Sequence, residues 1–255
     1  MKRKKILSSI AIFTAILCGL TLVAWRVKAK QAADPSVDDI LARYVSALGG
    51  RAAISKHTTK ISKGTLEVVG VTTDGTAESY AKAPNKYFSV ISIPNYGEIR
   101  RSFDGQNGWI SGPEAGVQSL AGQDLSTTRR DADFYQSLDL KKLYPILVSK
   151  GKENVGTWPA YVIEANSGDG TIRDMYFDVS SGLLIHNVDE TQTPQGPDIV
   201  ESFLEDYREI EGVKLPFTVR QVHNKLILIV RLTEVKMNQP IDDAKFAKPT
   251  AQPAQ

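Results

Sequence analysis

The chain has 255 residues, 42% of them apolar and 24% charged, which is enough to build one large domain or two small ones. Its formal charge of +2 is misleading, because residues 1–30 hold seven basic groups and no acids, leaving 24 basic against 29 acidic residues beyond them. A mildly acidic domain lacks the basic stripe on which nucleic-acid binding depends, so that class is excluded.

The leader comes first. Lys2, Arg3, Lys4 and Lys5 precede an uncharged run over 6–25, and Val27-Lys28-Ala29 offers a cleavage site, the pattern of an export signal over 1–30. The same run approaches the roughly 20 residues that span a bilayer, so an uncleaved signal anchor is the other reading. Both readings put the rest of the chain in the periplasm or another extracytoplasmic space, free or tethered to the inner membrane. Cys18, the single cysteine, lies in this leader, so residues 31–255 can form neither a disulfide nor a thiolate metal site.

Residues 31–246 read as one domain, and 247–255, rich in Pro, Ala and Gln, as a disordered tail. Ser36 and Asp39 have the spacing of a capping box. Val37, Ile40, Leu41, Tyr44, Val45 and Leu48 then keep helical periodicity until Gly49-Gly50 stops it. Strands are predicted over 60–69, 72–82, 85–93, 96–103 and 108–111, parted by turn signals such as Asp104-Gly105 and Asn107-Gly108. Residues 112–122 read as a Gly-rich hinge.

A second helix is predicted over 127–147, the one convincing helix in the middle of the chain. Asp131, Phe134, Tyr135 and Leu138 share a face at i, i+3, i+4 and i+7, and Leu140, Leu143, Tyr144 and Leu147 repeat the spacing until Pro145 interferes. Thr128 and Asp131 suggest its capping box, with Arg129-Arg130 opening it. Strands resume over 152–157, 161–165, 171–179, 183–190, 199–210, 213–222 and 226–235. Residues 226–230 are apolar at every position, which predicts a strand covered on both faces.

The expected fold is mainly β, in the α+β sense: a single curled antiparallel sheet of about eleven strands forming an unclosed barrel around one or two helices. The central helix should lie across the concave face, as permanent core or as a plug over an apolar cavity. Phe88, Val90, Trp109, Phe134, Tyr135 and Leu138 are the candidate ligand contacts. Arg100-Arg101 sits mid-strand, so one of the two should point inward and hold helix or loop oxygens, a latch on the plug.

Catalytic signatures are missing from the sequence. His57, His186 and His223 show no metal-ligand spacing, and no nucleophile elbow, phosphate loop or dinucleotide fingerprint occurs. Glu201 with Glu205 and Asp174 with Asp178 share strand faces that read as solvated. No metal or cofactor is expected, and the chain reads as a non-enzyme.

Several motifs resemble the superfamily of periplasmic lipoprotein carriers and their relatives, the outer-membrane lipoprotein-sorting type (LolA/LolB/LppX-like). They are Ala47-Leu48-Gly49-Gly50, Phe103-Asp104-Gly105-Gln106-Asn107-Gly108-Trp109, the central helix, Met175-Tyr176-Phe177-Asp178 with Ser181-Gly182-Leu183, and Gly212-Val213-Lys214-Leu215-Pro216. The resemblance spans residues 36–246. It implies an unclosed β-barrel wrapped round helices, an apolar cavity that shelters acyl chains, and an inner-strand arginine that latches the lid, for which Arg100 or Arg101 is the nearest candidate. A carrier of acyl chains, lipids or acylated proteins is the expected function. The alternative is a membrane-anchored periplasmic sensor or assembly module that binds a protein partner through the same fold.

Overall fold

Ser36 caps the first helix as its sequence predicts: the Asp39 amide donates to Ser36 Oγ (3.2 Å) and the Ser36 amide to Asp39 Oδ2 (3.1 Å). The structure, a computed structural model, describes residues 34–71, 74–193 and 196–249, and the leader and the end of the tail lie outside the described residues. The first helix, α1 (Val37–Ala47), ends at Gly49, whose φ of +118° suits glycine; a Cβ there would meet the Gly212 carbonyl oxygen at 2.0 Å. That close approach lets the Lys214 amide donate to Leu48 O, which ties the helix end to a sheet turn.

A short helix, α2 (Arg51–Ser55), leads into β1 (Thr59–Val68), β2 (Gly75–Lys82), β3 (Lys86–Ile93), β4 (Gly97–Phe103), β5 (Gly108–Gly112) and β6 (Gly116–Ser119). Two helices come next, α3 (Gly122–Asp131) and α4 (Gln136–Leu143). The chain then forms β7 (Ile146–Val155), β8 (Trp158–Asn166), β9 (Thr171–Asp178), β10 (Leu184–Thr193), β11 (Gly196–Ile210), β12 (Val213–His223) and β13 (Leu226–Met237), and closes with a 3-10 turn, Asp243–Lys245.

All thirteen strands belong to one antiparallel sheet in the order β6-β5-β4-β3-β2-β1-β13-β12-β11-β10-β9-β8-β7. Thirteen replaces the expected eleven or so partly because the hinge contains β6, which pairs Trp109 with Ser119 and Gly112 with Gly116. The two chain halves meet at the β1–β13 pair in the middle, so β6 and β7 are the unpaired edges and the sheet is unclosed. Helices α3 and α4 join those two edges. Topology therefore forces the helical segment to bridge from one arm of the sheet to the other.

The single helix expected over 127–147 is instead two. Helix α3 starts at Gly122, with Ala121 as its N-cap, and stops at Ala132; Tyr135 (φ −106°, ψ 25°) precedes α4. The Thr128–Asp131 capping box does not form, since Thr128 lies inside α3. Arg129 and Arg130 occupy its last turn, where the helix dipole favours cations. The break is tertiary in origin, because the Phe134 amide leaves the helical pattern to donate to Pro84 O (2.9 Å). Strand β7 begins at Ile146, taking residues for which the spacing predicts helix. The double cover expected over 226–230 is also missing, for Leu226 is 46% exposed and its successors are half-buried.

The main core fills the inner face of β8–β10, where Ile163, Ala165, Met175 and Phe177 pack with Ile40 and Tyr44 of α1, its C-cap residue Leu48, and Leu140 of α4. A smaller cluster unites Phe88 and Trp109 with Ile241 and Phe246. Strand alternation puts this cluster on the other side of the sheet, under the C-terminal segment.

Candidate functional site

Between the inner face and the helical bridge lies a cavity of about 570 Å³. Volumes of roughly 300–1,000 Å³ are typical of small-molecule sites. Tyr44, Leu48 and Ile54 form one end, Phe134, Gln136 and Leu140 belong to the bridge, and Leu184, Leu204, Tyr207 and Met237 come from the strands. The β1–β4 wall is different in character: Lys60, Ser79, Ala81, Tyr87, Ser89 and Arg101.

Strand parity decides which predicted residues reach this space. Tyr87 and Ser89 line it, so Phe88 and Val90 point to the opposite face of β3, where they pack in the cluster with Phe246. Trp109 pairs with Ser102 and joins them, and its Nε1 donates to Phe246 O (3.2 Å). Phe88, Val90 and Trp109 are thus part of a second core. Phe134 lines the cavity. Tyr135 packs edge-on against Phe134 with its hydroxyl donating to His57 O (2.9 Å), and Leu138 borders a separate groove beside Leu41 and Val45 of α1.

The arginine pair splits in the same way. Arg100 faces outward and pairs with Glu98. Arg101 faces the cavity, and its Nη1 donates to Thr128 Oγ1 (3.0 Å) on α3. On the other arm, the turn between β8 and β9 holds the same helix: Asp169 accepts from Ser126 (2.5 Å) and from Arg130, and Gln123 Nε2 donates to Thr171 Oγ1 (3.1 Å). Burial pushes the Asp169 carboxyl up, but the hydrogen bonds from Ser126, Ser167 and Arg130 outweigh it and hold it well below the usual carboxylate range. Helix α3 is therefore held from both arms of the sheet by a handful of polar contacts.

Burial controls the charge state of the walls. It raises the pKa of Tyr44, Tyr87 and Tyr207, so these phenols stay neutral, and it lowers that of Lys60. Asp131 opens on the cavity and is pushed up by the protein around it, while Arg173 at 3.7 Å pulls it down. Asn187 lines the cavity from β10, and its buried Oδ1 has no partner among the described residues. Sequence reasoning missed Lys60, Arg173 and Asn187, since single polar residues in strands carry no motif.

The carboxylates considered for catalysis lie elsewhere. Glu201 approaches His186 (3.5 Å), but His186 stacks on Phe203 (4.2 Å), and both side chains alternate with the cavity-lining Leu204 to face outward. Among the described residues no cluster of His, Cys, Asp or Glu could hold a metal ion, and no helix is long and apolar enough to cross a membrane.

No protein-family model matches the sequence, and no curated protein matches it. Solved structures do. A DUF1329-family protein from Desulfovibrio piger superposes with a TM-score of 0.56 at 13% identity, over 84% of this chain and 98% of its own. A LolA-superfamily protein from Nitrosomonas europaea gives 0.55 at 12%, over 84% and 98%. A domain of the outer-membrane lipoprotein-sorting type from Vibrio parahaemolyticus gives 0.56 at 9%, over 82% and 95%. With its unclosed sheet, its cavity and its bridging helices, this chain has the LolA/LolB-like fold.

Proposed function

We propose that the protein is an exported, non-enzymatic binder or carrier of acyl chains, whether of a lipid or of an acylated protein, held between the sheet and the α3–α4 bridge. One observation carries this reading: the cavity is roofed by a segment that the main core does not fully absorb. Phe134 in the break between α3 and α4 lines the space, and α3 is held to the two arms of the sheet by side-chain hydrogen bonds from Arg101 and to Asp169. Such bonds contribute about 0.5–1.5 kcal/mol each, a cost that burial of an acyl chain at about 0.8 kcal/mol per CH₂ can offset. Arg101 is the latch in this reading, released when the roof shifts. The lipoprotein-sorting neighbours share the fold and support the choice of ligand class.

The test is uptake of a fluorescent fatty acid by the delipidated full chain. Phe134→Asp should abolish it while leaving the circular-dichroism spectrum unchanged. Uptake that survives this change would remove the cavity from the mechanism.

A second reading is a module for a protein partner. Edge strand β7 favours it, with Ile146 and Val148 at 55% and 45% exposure beside unpaired backbone. Retrieval of a specific partner that is lost in Val148→Lys, with fatty-acid uptake absent, would make it the better account.

A further inference from the structure

We infer that the cavity takes an amphiphile whose head group is anionic, a carboxylate or a phosphate, and that Lys60 and Arg101 hold that charge. The inference rests on the acyl-chain reading and narrows it to one ligand class.

The cations of β1–β4 divide by face. On the outer side each has a carboxylate: Lys63 meets Glu78 (3.5 Å), Lys82 and Lys86 meet Asp243 (2.7 and 2.8 Å), and Arg100 meets Glu98. On the inner side neither cation forms an ion pair among the described residues, although Asp131 on the same cavity feels the charge of Arg101. The Lys60 ammonium makes no hydrogen bond or ion pair among the described residues, and burial alone perturbs it. Arg101 has a single neutral partner, the Thr128 hydroxyl. Two further basic residues line the cavity from the strands, Lys214 of β12 and Arg173 of β9, and Arg173 is already engaged by Asp189 (2.5 Å) and Asp131 (3.7 Å).

An ammonium withdrawn from water without a counter-charge is costly, and sites that keep one supply the anion by pairing. This wall leaves the pairing to whatever enters. The register also leaves room: Lys60 pairs with Ala81, and Ser79 pairs with Ser89, which pairs with Arg101. Between the two cations the inner face thus carries only small side chains and the Tyr87 ring, with hydroxyl donors at Ser79, Ser89 and Tyr87. Charge-assisted hydrogen bonds from an ammonium and a guanidinium suit a carboxylate or a phosphate equally. The apolar remainder, from Phe134 to Leu204 and Met237, would take the chain.

The experiment compares two matched pairs on the delipidated full chain by calorimetry below their micellar concentrations: oleate against methyl oleate, and 1-oleoyl-glycerol-3-phosphate against 1-oleoyl-glycerol. The anionic member of at least one pair should bind roughly tenfold tighter or more. Lys60→Met should erase that preference, Lys60→Arg should keep it, and Lys63→Met on the outer face should leave it unchanged. A preference within one pair only identifies the head group as carboxylate or phosphate. Equal binding of charged and neutral members, or a preference that survives Lys60→Met with an unaltered melting temperature, overturns the inference and leaves the acyl-chain reading standing. Binding of none of the four compounds removes both.

Discussion

The two arms of the sheet treat their inner faces in opposite ways. On β8 and β9 the inward Ile163, Ala165, Met175 and Phe177 are all at 0–1% exposure beneath α1 and α4, with Arg173 the charged exception beside the cavity. On β1–β4 the residues that line the cavity are Lys60, Ser79, Ala81, Tyr87, Ser89 and Arg101; Leu66 and Phe103 share that face but are fully buried outside the cavity lining, whereas Phe88, Val90 and Trp109 point the other way. There they meet the C-terminal segment, where Phe246 is fully buried and its carbonyl accepts from Trp109 Nε1 and Ser102 Oγ. Large apolar side chains thus collect wherever a permanent cover exists, on whichever face that is. In the proposed reading the inner face of β1–β4 must also survive without its ligand, and small or snorkelling polar side chains do so at lower cost than bare leucine or phenylalanine.

If that contrast is right, the strongest blow falls on the covered outer face and leaves the hollow inner one working. Phe246→Ala should destabilise the protein by about 3–5 kcal/mol in urea unfolding, the usual cost of emptying a buried aromatic site. Fatty-acid uptake measured well below the unfolding transition should be unchanged. Loss of uptake in the folded variant would mean that the two faces are coupled through the sheet.

The same contrast explains how much can be read from the chain alone. The α1 capping box, the stop at Gly49 and the strand-rich pattern are legible because each depends on neighbours within a few residues. That one of Arg100 and Arg101 must face inward is legible too, but which one depends on the parity of β4 against its partners, fixed by pairs such as Ser89 with Arg101. Phe88, Val90 and Trp109 are large and apolar, and size and polarity alone direct them to the cavity. The segment that covers them instead, 241–246, lies more than a hundred residues away and has no recognisable motif. The helix break is hidden for a similar reason, since the spacing of Asp131, Phe134, Tyr135 and Leu138 satisfies a helix and only the Pro84 carbonyl competes for the Phe134 amide.

A second test separates the two moorings of α3. Asp169→Asn removes the charge that organises Ser126, Ser167 and Arg130, and should cost about 1.5–3 kcal/mol near neutral pH, the range for hydrogen bonds to charged groups. Because the folded-state pKa is depressed, this contribution is present above the unfolded value of about 3.9 and is lost as the pH falls through the folded one. Stability curves of the two proteins should therefore run parallel above about pH 5 and converge in acid. Divergence that grows on acidification would contradict the assignment. At the other mooring, Arg101→Gln loses one hydrogen bond to a neutral hydroxyl and should cost only about 0.5–1.5 kcal/mol. It should nevertheless speed the entry of methyl oleate, a probe with no head-group charge, in stopped-flow fluorescence.

The smallest expected effect is the most discriminating, because it concerns the adjacent residue. Arg100 and Arg101 are the same side chain on the same strand, one residue apart, and alternation alone sends them to opposite faces. Arg100 is 46% exposed and pairs with a partly exposed Glu98, the kind of surface pair that contributes little after solvent screening. Arg100→Ala should shift stability by no more than about 0.5 kcal/mol, and both the entry rate of methyl oleate and the preference for oleate should match the parent protein. An entry rate that rises as much in Arg100→Ala as in Arg101→Gln would show that general positive charge on β4 governs access. A rate that rises only for Arg101 ties it to the Thr128 hydroxyl, and so to the movement of α3.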